Sequence, residues 1–168
     1  MQRRAFLTLS ATAAALSLSG CGFALRKAPN FAFSTLYSSL GEGSPLGVEL
    51  RRSLQATRKV EVITDARRIN EAQVVLDALS DLREKVVVST NAAGQVREFQ
   101  LRMRFRFRLR TLAGKELIPD TEIQQQRDIS FNESAVLAKE AEEALLYRDM
   151  QSDVVQQIMR RLAAVTTL

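Results

Sequence analysis

The chain has 168 residues, of which 46% are hydrophobic and 26% charged, a composition typical of one globular domain. It contains no histidine and one cysteine, which excludes imidazole acid–base catalysis, Cys/His zinc sites and an internal disulfide. The formal net charge is +5, and without Arg3 and Arg4 of a predicted export signal it is 22 basic minus 19 acidic residues, or +3. We therefore predict no metal, no cofactor and no catalytic nucleophile.

The first 20 residues resemble a bacterial export signal, with Arg3 and Arg4 ahead of an apolar stretch too short to span a bilayer. The signal ends in Leu-Ser-Gly before Cys21, which resembles a lipobox, the site where a lipoprotein is cleaved and acylated on its new N-terminal cysteine. Acylation also accounts for an unpaired cysteine in an exported chain. We predict a signal peptide over residues 1–20, a lipidated tether over 21–30 and a folded domain over 31–168.

Two details of this region bear on export and destination. The residue after the cysteine is Gly22. In Gram-negative lipoproteins an aspartate at this position favours retention in the inner membrane. Resemblance to these proteins therefore implies an outer-membrane protein that faces the periplasm. Several acyl chains on Cys21 would make the anchor stable. Residues 3–7 also resemble a twin-arginine signal, so the export route stays open.

The first part of the folded domain predicts two short strands around one helix. Residues 31–37 and 60–63 are the strands. Between them Ser44 and Pro45 supply an N-cap and a first-turn proline. The apolar face of this helix repeats every four residues at Leu46, Leu50 and Leu54. Residues 65–70 are polar and are predicted to form a loop.

The most regular stretch is residues 100–110, where apolar side chains alternate with arginines. A period of two predicts a long strand with one buried face and one row of guanidinium groups roughly 7 Å apart. The apolar members are Met103, Phe105, Phe107 and Leu109. The arginines are Arg102, Arg104, Arg106, Arg108 and Arg110. Like charges at this spacing repel, so the row requires anions beside it or in front of it.

Flanking strands are predicted over residues 72–89 and 117–131, joined to the arginine strand by turns at 91–94 and 112–116. Matching their hydrophobic faces, which include Leu82, places four acids opposite the arginine row. These acids are Asp77, Asp81, Asp120 and Glu122.

With Arg83 and Lys85 added nearby, this face is predicted to stay net cationic. Two interpretations remain open at this point: a solvated, self-paired sheet surface, or a face that meets an anionic ligand or a polar protein wall.

The last element is predicted to be a helix from about Asn132 or Ser134 to Ala164. Its apolar stripe recurs at spacings of three and four, which favours packing on the buried face of the sheet over a coiled-coil partner. The stripe is Leu137, Ala141, Ala144, Tyr147, Met150, Val154, Ile158, Leu162 and Val165. The predicted fold is α+β, a two-layer sandwich of a mostly antiparallel four- to five-stranded sheet with two helices packed on one face.

Three segments then resemble the LptE (RlpB) family of lipopolysaccharide-assembly lipoproteins: Cys21-Gly-Phe-Ala-Leu-Arg26, Gly94-Gln-Val-Arg-Glu-Phe99 and Leu137-Ala-Lys139. Their order after a lipobox carries the resemblance, which covers essentially the whole mature chain. Ala24 departs from it, because a polar residue is usual there.

The resemblance implies a non-enzymatic role. LptE-like lipoproteins sit as a plug inside the barrel of LptD, help that barrel to assemble, and take part in delivering lipopolysaccharide to the outer leaflet. Lipid A carries phosphates, which lysine and arginine bind. The candidate lipopolysaccharide-binding residues are Lys139, Arg97, Arg102 and Arg104.

Other functions fit the sequence less well. The alternative within the same class is another outer-membrane lipoprotein that acts as a periplasmic protein-interaction module. Glu142 and Glu143 do not form a catalytic pair, because neighbouring residues of a helix do not face each other. Nucleic-acid binding is not expected either, since Phe105 and Phe107 point away from the arginines.

Overall fold

The computed structural model describes residues 29–168, so Cys21, the predicted signal and most of the tether lie outside the described residues. In chain order the elements are β1 (Thr35–Ser38), α1 (Pro45–Ala56), β2 (Glu61–Ile63), a 3-10 helix (Ala66–Glu71), β3 (Val74–Thr90), β4 (Val96–Thr111), β5 (Glu116–Ser130), a 3-10 turn (Glu133–Ala135) and α2 (Val136–Ala164).

The five strands form one sheet in the order β2-β1-β3-β4-β5, and both helices cover one face of it. The predicted α+β sandwich is confirmed. The β3–β4 and β4–β5 pairs are antiparallel, whereas β1 runs parallel to both β2 and β3. The crossover through α1 makes β1 and β2 parallel, and the connection through the 3-10 helix then places β3 parallel to β1 on its other side.

The first helix forms as its sequence predicts. The Ser44 side chain accepts a hydrogen bond from the Gly47 backbone N–H at 3.1 Å and so caps the helix. The buried side of α1 is formed by Leu46, Leu50 and Leu54. Residues 65–70, predicted as a loop, instead form most of the 3-10 helix and its N-cap, where the Asp65 side chain accepts a hydrogen bond from the Arg67 backbone N–H.

Strand β4 supplies the centre of the core. Phe105 and Phe107 have no exposed surface and stack with ring centres 5.6 Å apart. The two hairpins that join β4 to its neighbours turn at Gly94 and Gly114, both with positive φ, which glycine adopts without strain. The predicted central strand and both turns are confirmed.

A β-bulge at Leu79 changes the faces of β3. Ala78 pairs with Phe107 and Ser80 with Arg106, so Leu79 is an extra residue between them. From Ser80 to Val87 every β3 side chain points to the face opposite to the predicted one, and a second irregularity at Val88 ends this stretch. Leu82 therefore lies opposite Arg104 and is 48% exposed, where the sequence predicts a core residue.

Helix α2 is 29 residues long, about 43 Å, and only its C-terminal half is buried. The buried residues are Met150, Val154, Val155, Ile158, Met159 and Leu162. These residues pack on the sheet and α1, so this half has no coiled-coil role. The predicted packing of Leu137, Ala141 and Ala144 is wrong, because the bulge turns Arg83 and Lys85 towards this half of the helix.

Beyond Ala78, β3 pairs only with β4 among residues 29–168, because β1 ends at Ser38. The hairpin of β3 and β4, together with β5 and the first half of α2, therefore extends past the rest of the domain. We call the part of the molecule around residues 85–99 and 129–143 the hairpin end.

Candidate functional site

The four predicted binding residues lie on two different faces of the sheet. Arg102 and Arg104 belong to the row on the face away from the helices, which we call the outer face. Arg97 and Lys139 lie at the hairpin end, and strand alternation puts Arg97 on the helix-covered face with Phe99. The structure therefore separates these residues into two pairs.

The arginine row on the outer face is almost completely paired with carboxylates. Both oxygens of Glu84 accept hydrogen bonds from Arg104 at 2.9 Å. Arg106 pairs with Asp120, and Arg108 and Arg110 share Asp77. Arg102 donates to Gln100 at 2.7 Å and forms no ion pair within residues 29–168.

The outer face is not net cationic, contrary to the sequence-based prediction. Seven carboxylates lie on the same face as its five arginines: Asp77, Glu84, Glu98, Glu116, Asp120, Glu122 and Asp128. The bulge at Leu79 is the cause, because it moves Arg83 and Lys85 to the opposite face. Asp81, predicted to oppose the row, pairs instead with Phe105 and faces the helix side.

Lys139 lies in the first turns of α2 and contacts the end of β5. Its Nζ atom donates to the Ser130 Oγ atom at 3.0 Å and to the Glu142 carboxylate at 2.8 Å. The side chain is 22% exposed, so the ammonium group is held in place and still accessible to solvent.

Lys85 is a second cation at the same place, and the sequence analysis missed it as a site residue. The bulge directs its side chain under α2, where Nζ lies 2.6 Å from the Glu143 carboxylate. The same ammonium group lies 4.3 Å from the centre of the Phe99 ring, within the range of a cation–π interaction. Residue periodicity alone does not reveal the bulge at Leu79, and without the bulge it predicts that Lys85 lies on the outer face.

Lys85 and Lys139 line one cavity of about 240 Å³ between α2 and the ends of β4 and β5. Its walls are mostly apolar, with Phe99 and Phe131 in edge-to-face contact at 5.3 Å. The other lining residues are Ile129, Ser130, Val136, Glu140 and Glu143. Two ammonium groups in an apolar setting suit a ligand with an anionic group on a hydrophobic body.

Arg97 borders a smaller cavity on the other side of Phe131, of about 90 Å³. Its carbonyl oxygen accepts a hydrogen bond from the Phe131 backbone N–H at 2.8 Å, which fixes its position at the strand end. The side chain is exposed and forms no ion pair with any residue in the range 29–168. Arg97 is therefore available to a ligand that extends past Phe131.

On the other side of α2, a wider groove of about 700 Å³ continues from Lys85. Arg83 lies along it, 5.7 Å from the Tyr147 ring centre and 2.7 Å from Gln151. Tyr147 donates to the Glu84 carbonyl oxygen at 2.8 Å, which holds the helix against β3. Basic side chains thus continue from the cavity along the helix.

Residues 29–168 contain neither a candidate metal site nor a membrane-spanning helix. This part of the chain holds no cluster of three or more acidic, histidine or cysteine side chains placed to bind a metal ion. None of its helices is both long and apolar enough to cross a bilayer.

Comparison with known proteins identifies the family. The model of the LptE family, described as lipopolysaccharide-assembly, matches residues 30–162. The chain is 29% identical over 166 residues to the LPS-assembly lipoprotein LptE of Yersinia pestis strain Pestoides F, covering 97% of this chain and 78% of that protein.

Solved structures agree with this match. Lipoprotein B from Nitrosomonas europaea superposes with a TM-score of 0.71 at 34% identity, covering 86% of this chain and 92% of that one. Rare lipoprotein B from Shewanella oneidensis gives 0.64 at 25% identity, covering 78% and 95%. The family model over most of the chain, the curated relative and the shared fold lead to one conclusion: the chain belongs to the LptE family of lipopolysaccharide-assembly lipoproteins.

Proposed function

We propose that this protein is an outer-membrane lipoprotein, anchored by acyl chains on Cys21, that binds lipopolysaccharide at the hairpin end. The cavity that holds Lys85 and Lys139 between apolar walls is the observation that carries this proposal. A lipid A phosphate would contact the ammonium groups while the hydrophobic part of the molecule contacts the phenylalanines. Arg97, beyond Phe131, would bind a second anionic group.

The other two predicted residues have a different place in this proposal. Arg104 is fixed by Glu84 and is not available without breaking that pair. Arg102 is free of carboxylate partners within residues 29–168, but it lies on the outer face, away from the cavity. We assign Lys139 and Arg97 to lipopolysaccharide, and Arg102 and Arg104 to the protein partner of the outer face.

That partner, we propose, is the LptD barrel, in which the protein acts as plug and assembly factor. The outer face carries alternating arginines and carboxylates with their pairs already formed. Such a surface is suited to the polar interior wall of a barrel and unsuited to lipid. The chain itself has no enzymatic role in this proposal.

A test of lipopolysaccharide binding is the double substitution Lys139→Asp with Arg97→Asp. We expect purified lipopolysaccharide to bind at least about tenfold more weakly, because two charge-assisted hydrogen bonds are replaced by repulsion. The matched control is Lys59→Asp with Arg52→Asp, two cations at the far end of the domain, which should leave binding unchanged. Equal affinities for the first variant and the wild type would refute the proposal.

The alternative function, a periplasmic protein-interaction module, is favoured by one observation. From Leu79 to Thr90, β3 has a free edge within the described residues, and such edges accept strands from partners. Affinity purification from detergent-solubilised outer membrane separates the two functions. A barrel protein in equal amount supports the LptD complex, whereas periplasmic proteins without a barrel support the alternative.

A further inference from the structure

We propose that Glu142 and Glu143 are internal counter-anions, which occupy the two lysines of the hairpin-end cavity until a phosphate-bearing amphiphile displaces them. In this exchange Lys85 becomes a phosphate contact alongside Lys139. The inference rests on the proposed lipopolysaccharide binding and adds to it a built-in competitor for each of the two lysines.

Each lysine has its own carboxylate on the same turn of α2. Glu143 lies 2.6 Å from Lys85, and Glu142 lies 2.8 Å from Lys139. Successive helix residues differ in direction by about 100°, so two neighbouring acids reach two cations on different sides. The pairing therefore follows from the geometry of the helix, and it leaves both ammonium groups neutralised when no ligand is present.

The carboxylates explain how an apolar cavity holds two ammonium groups without a ligand. Buried or half-buried cations are costly unless they are paired, and Phe99, Phe131 and Val136 give Lys85 and Lys139 no polar partner. The pairs are also weak enough to exchange. Glu142 is 49% exposed and Glu143 is 23% exposed, and ion pairs with this degree of solvent contact contribute little.

A phosphate is a better partner for the two lysines than either carboxylate. It carries up to two negative charges and three acceptor oxygens, so a single group can bind both ammonium ions. The released carboxylates would turn into solvent, to which the Glu142 side chain is already about half exposed.

The surroundings indicate that the phosphate belongs to an amphiphile. Beside the cavity, Val87 is 47% exposed, Val136 39% and Leu137 82%. Val87 pairs with Phe99, so this apolar surface is continuous with the cavity wall. Free phosphate would leave the apolar surface in water, whereas a lipid phosphate would cover it.

The experiment compares Glu143→Gln and Lys85→Gln with the wild-type protein in binding to purified lipopolysaccharide. We expect the affinity of Glu143→Gln to rise about two- to fivefold, because the competing charge is gone. The affinity of Lys85→Gln should fall by a similar or larger factor. The matched control is Glu122→Gln on the outer face, which should leave affinity unchanged, and melting temperatures verify that each variant folds.

Two ligand arms define the chemistry. Dephosphorylated lipid A should bind more weakly than lipid A. Its affinity for Glu143→Gln should equal its affinity for the wild-type protein. Inorganic phosphate at the same phosphate concentration should compete poorly. If dephosphorylated lipid A responds to Glu143→Gln as lipid A does, the counter-anion role is wrong.

The outcomes separate this inference from the proposed function. If wild-type protein binds lipopolysaccharide and Glu143→Gln binds it equally or more weakly, the counter-anion role is refuted while the proposed function stands. An equal rise in the affinity of Glu122→Gln would mean that the net charge of the protein alone determines the affinity, and it would also refute the counter-anion role. If the wild-type protein binds no lipopolysaccharide, both proposals fail.

Discussion

Asp77 shows how one carboxylate holds two members of the arginine row. It accepts hydrogen bonds from the Nε atoms of Arg108 and Arg110, both at 2.9 Å, with 19% of its side chain exposed. Burial by itself raises the pKa of Asp77, but the hydrogen bonds from Arg110 and Arg108 outweigh it and hold the pKa below the usual 3.8. The charged carboxylate is therefore part of the folded structure.

We expect Asp77→Asn to lower the free energy of unfolding by about 1–3 kcal/mol at pH 7, because two charge-assisted hydrogen bonds are lost. A carboxylate with a lowered pKa stabilises the fold above its unfolded pKa of about 3.8, and loses this effect as pH falls through the folded pKa. The difference between variant and wild type should therefore shrink at pH 3. Urea denaturation at both pH values measures it, and a difference independent of pH would contradict the assignment.

Asp81, four residues further on, provides the matched control. Desolvation raises its pKa, and it forms no ion pair with any of residues 29–168. A carboxylate with a raised pKa disfavours the fold once pH exceeds its unfolded pKa. Asp81→Asn should therefore leave stability unchanged or raise it slightly at pH 7, by less than about 0.5 kcal/mol. A loss of stability as large as that of Asp77→Asn would show that Asp81 does not lie unpaired on the helix side of the sheet.

At the scale of elements, α2 has two halves with different roles. Its C-terminal half packs on the sheet through residues with no exposed surface, such as Leu162. Its N-terminal half exposes Leu137 and instead contacts the sheet through the Lys85–Glu143 ion pair and the Tyr147 hydroxyl. The first half carries the candidate site, and the second half supports it.

The same chemical change in the two halves should therefore have very different effects. Leu162→Ala creates a cavity in the core and should lower the free energy of unfolding by about 2–5 kcal/mol. Leu137→Ala removes an 82% exposed side chain and should change it by less than about 0.5 kcal/mol. Chemical denaturation measures both, and a large loss for Leu137→Ala would mean that the first half of α2 is packed.

The bulge in β3 marks the limit of prediction from the sequence. Alternation in β4, the leucine repeat of α1 and the glycine turns all predict their elements correctly, because each is a local pattern. Leu79 adds one residue to an otherwise regular strand, and nothing in the pattern of residues 72–89 reveals it. This one shift explains the wrong faces of Asp81, Arg83 and Lys85, and hence the missed cation of the site.

For the whole molecule, the position of the site relative to the anchor matters most. The described part of the chain begins near β2, where the Lys59 side chain donates a hydrogen bond to Asn30. Strand β1 then pairs in parallel with the first residues of β3. The hairpin end lies at the other end of β3, which is 17 residues long and so separates the hairpin end from the start of β3 by roughly 50 Å. The candidate cavity therefore lies at the end of the domain opposite to the one where the described chain begins.

Binding of lipopolysaccharide at the hairpin end is the central claim, and the five lysines of the chain allow a direct test. Reductive ¹³C-methylation keeps the lysine charge, and each methylated ammonium group gives its own NMR signal. On addition of purified lipopolysaccharide, the signals of Lys85 and Lys139 should shift, and those of Lys59 and Lys115 at the opposite end should stay unchanged. Bound lipopolysaccharide that moves the signals of Lys59 or Lys115 and leaves Lys85 and Lys139 unaffected would contradict the account.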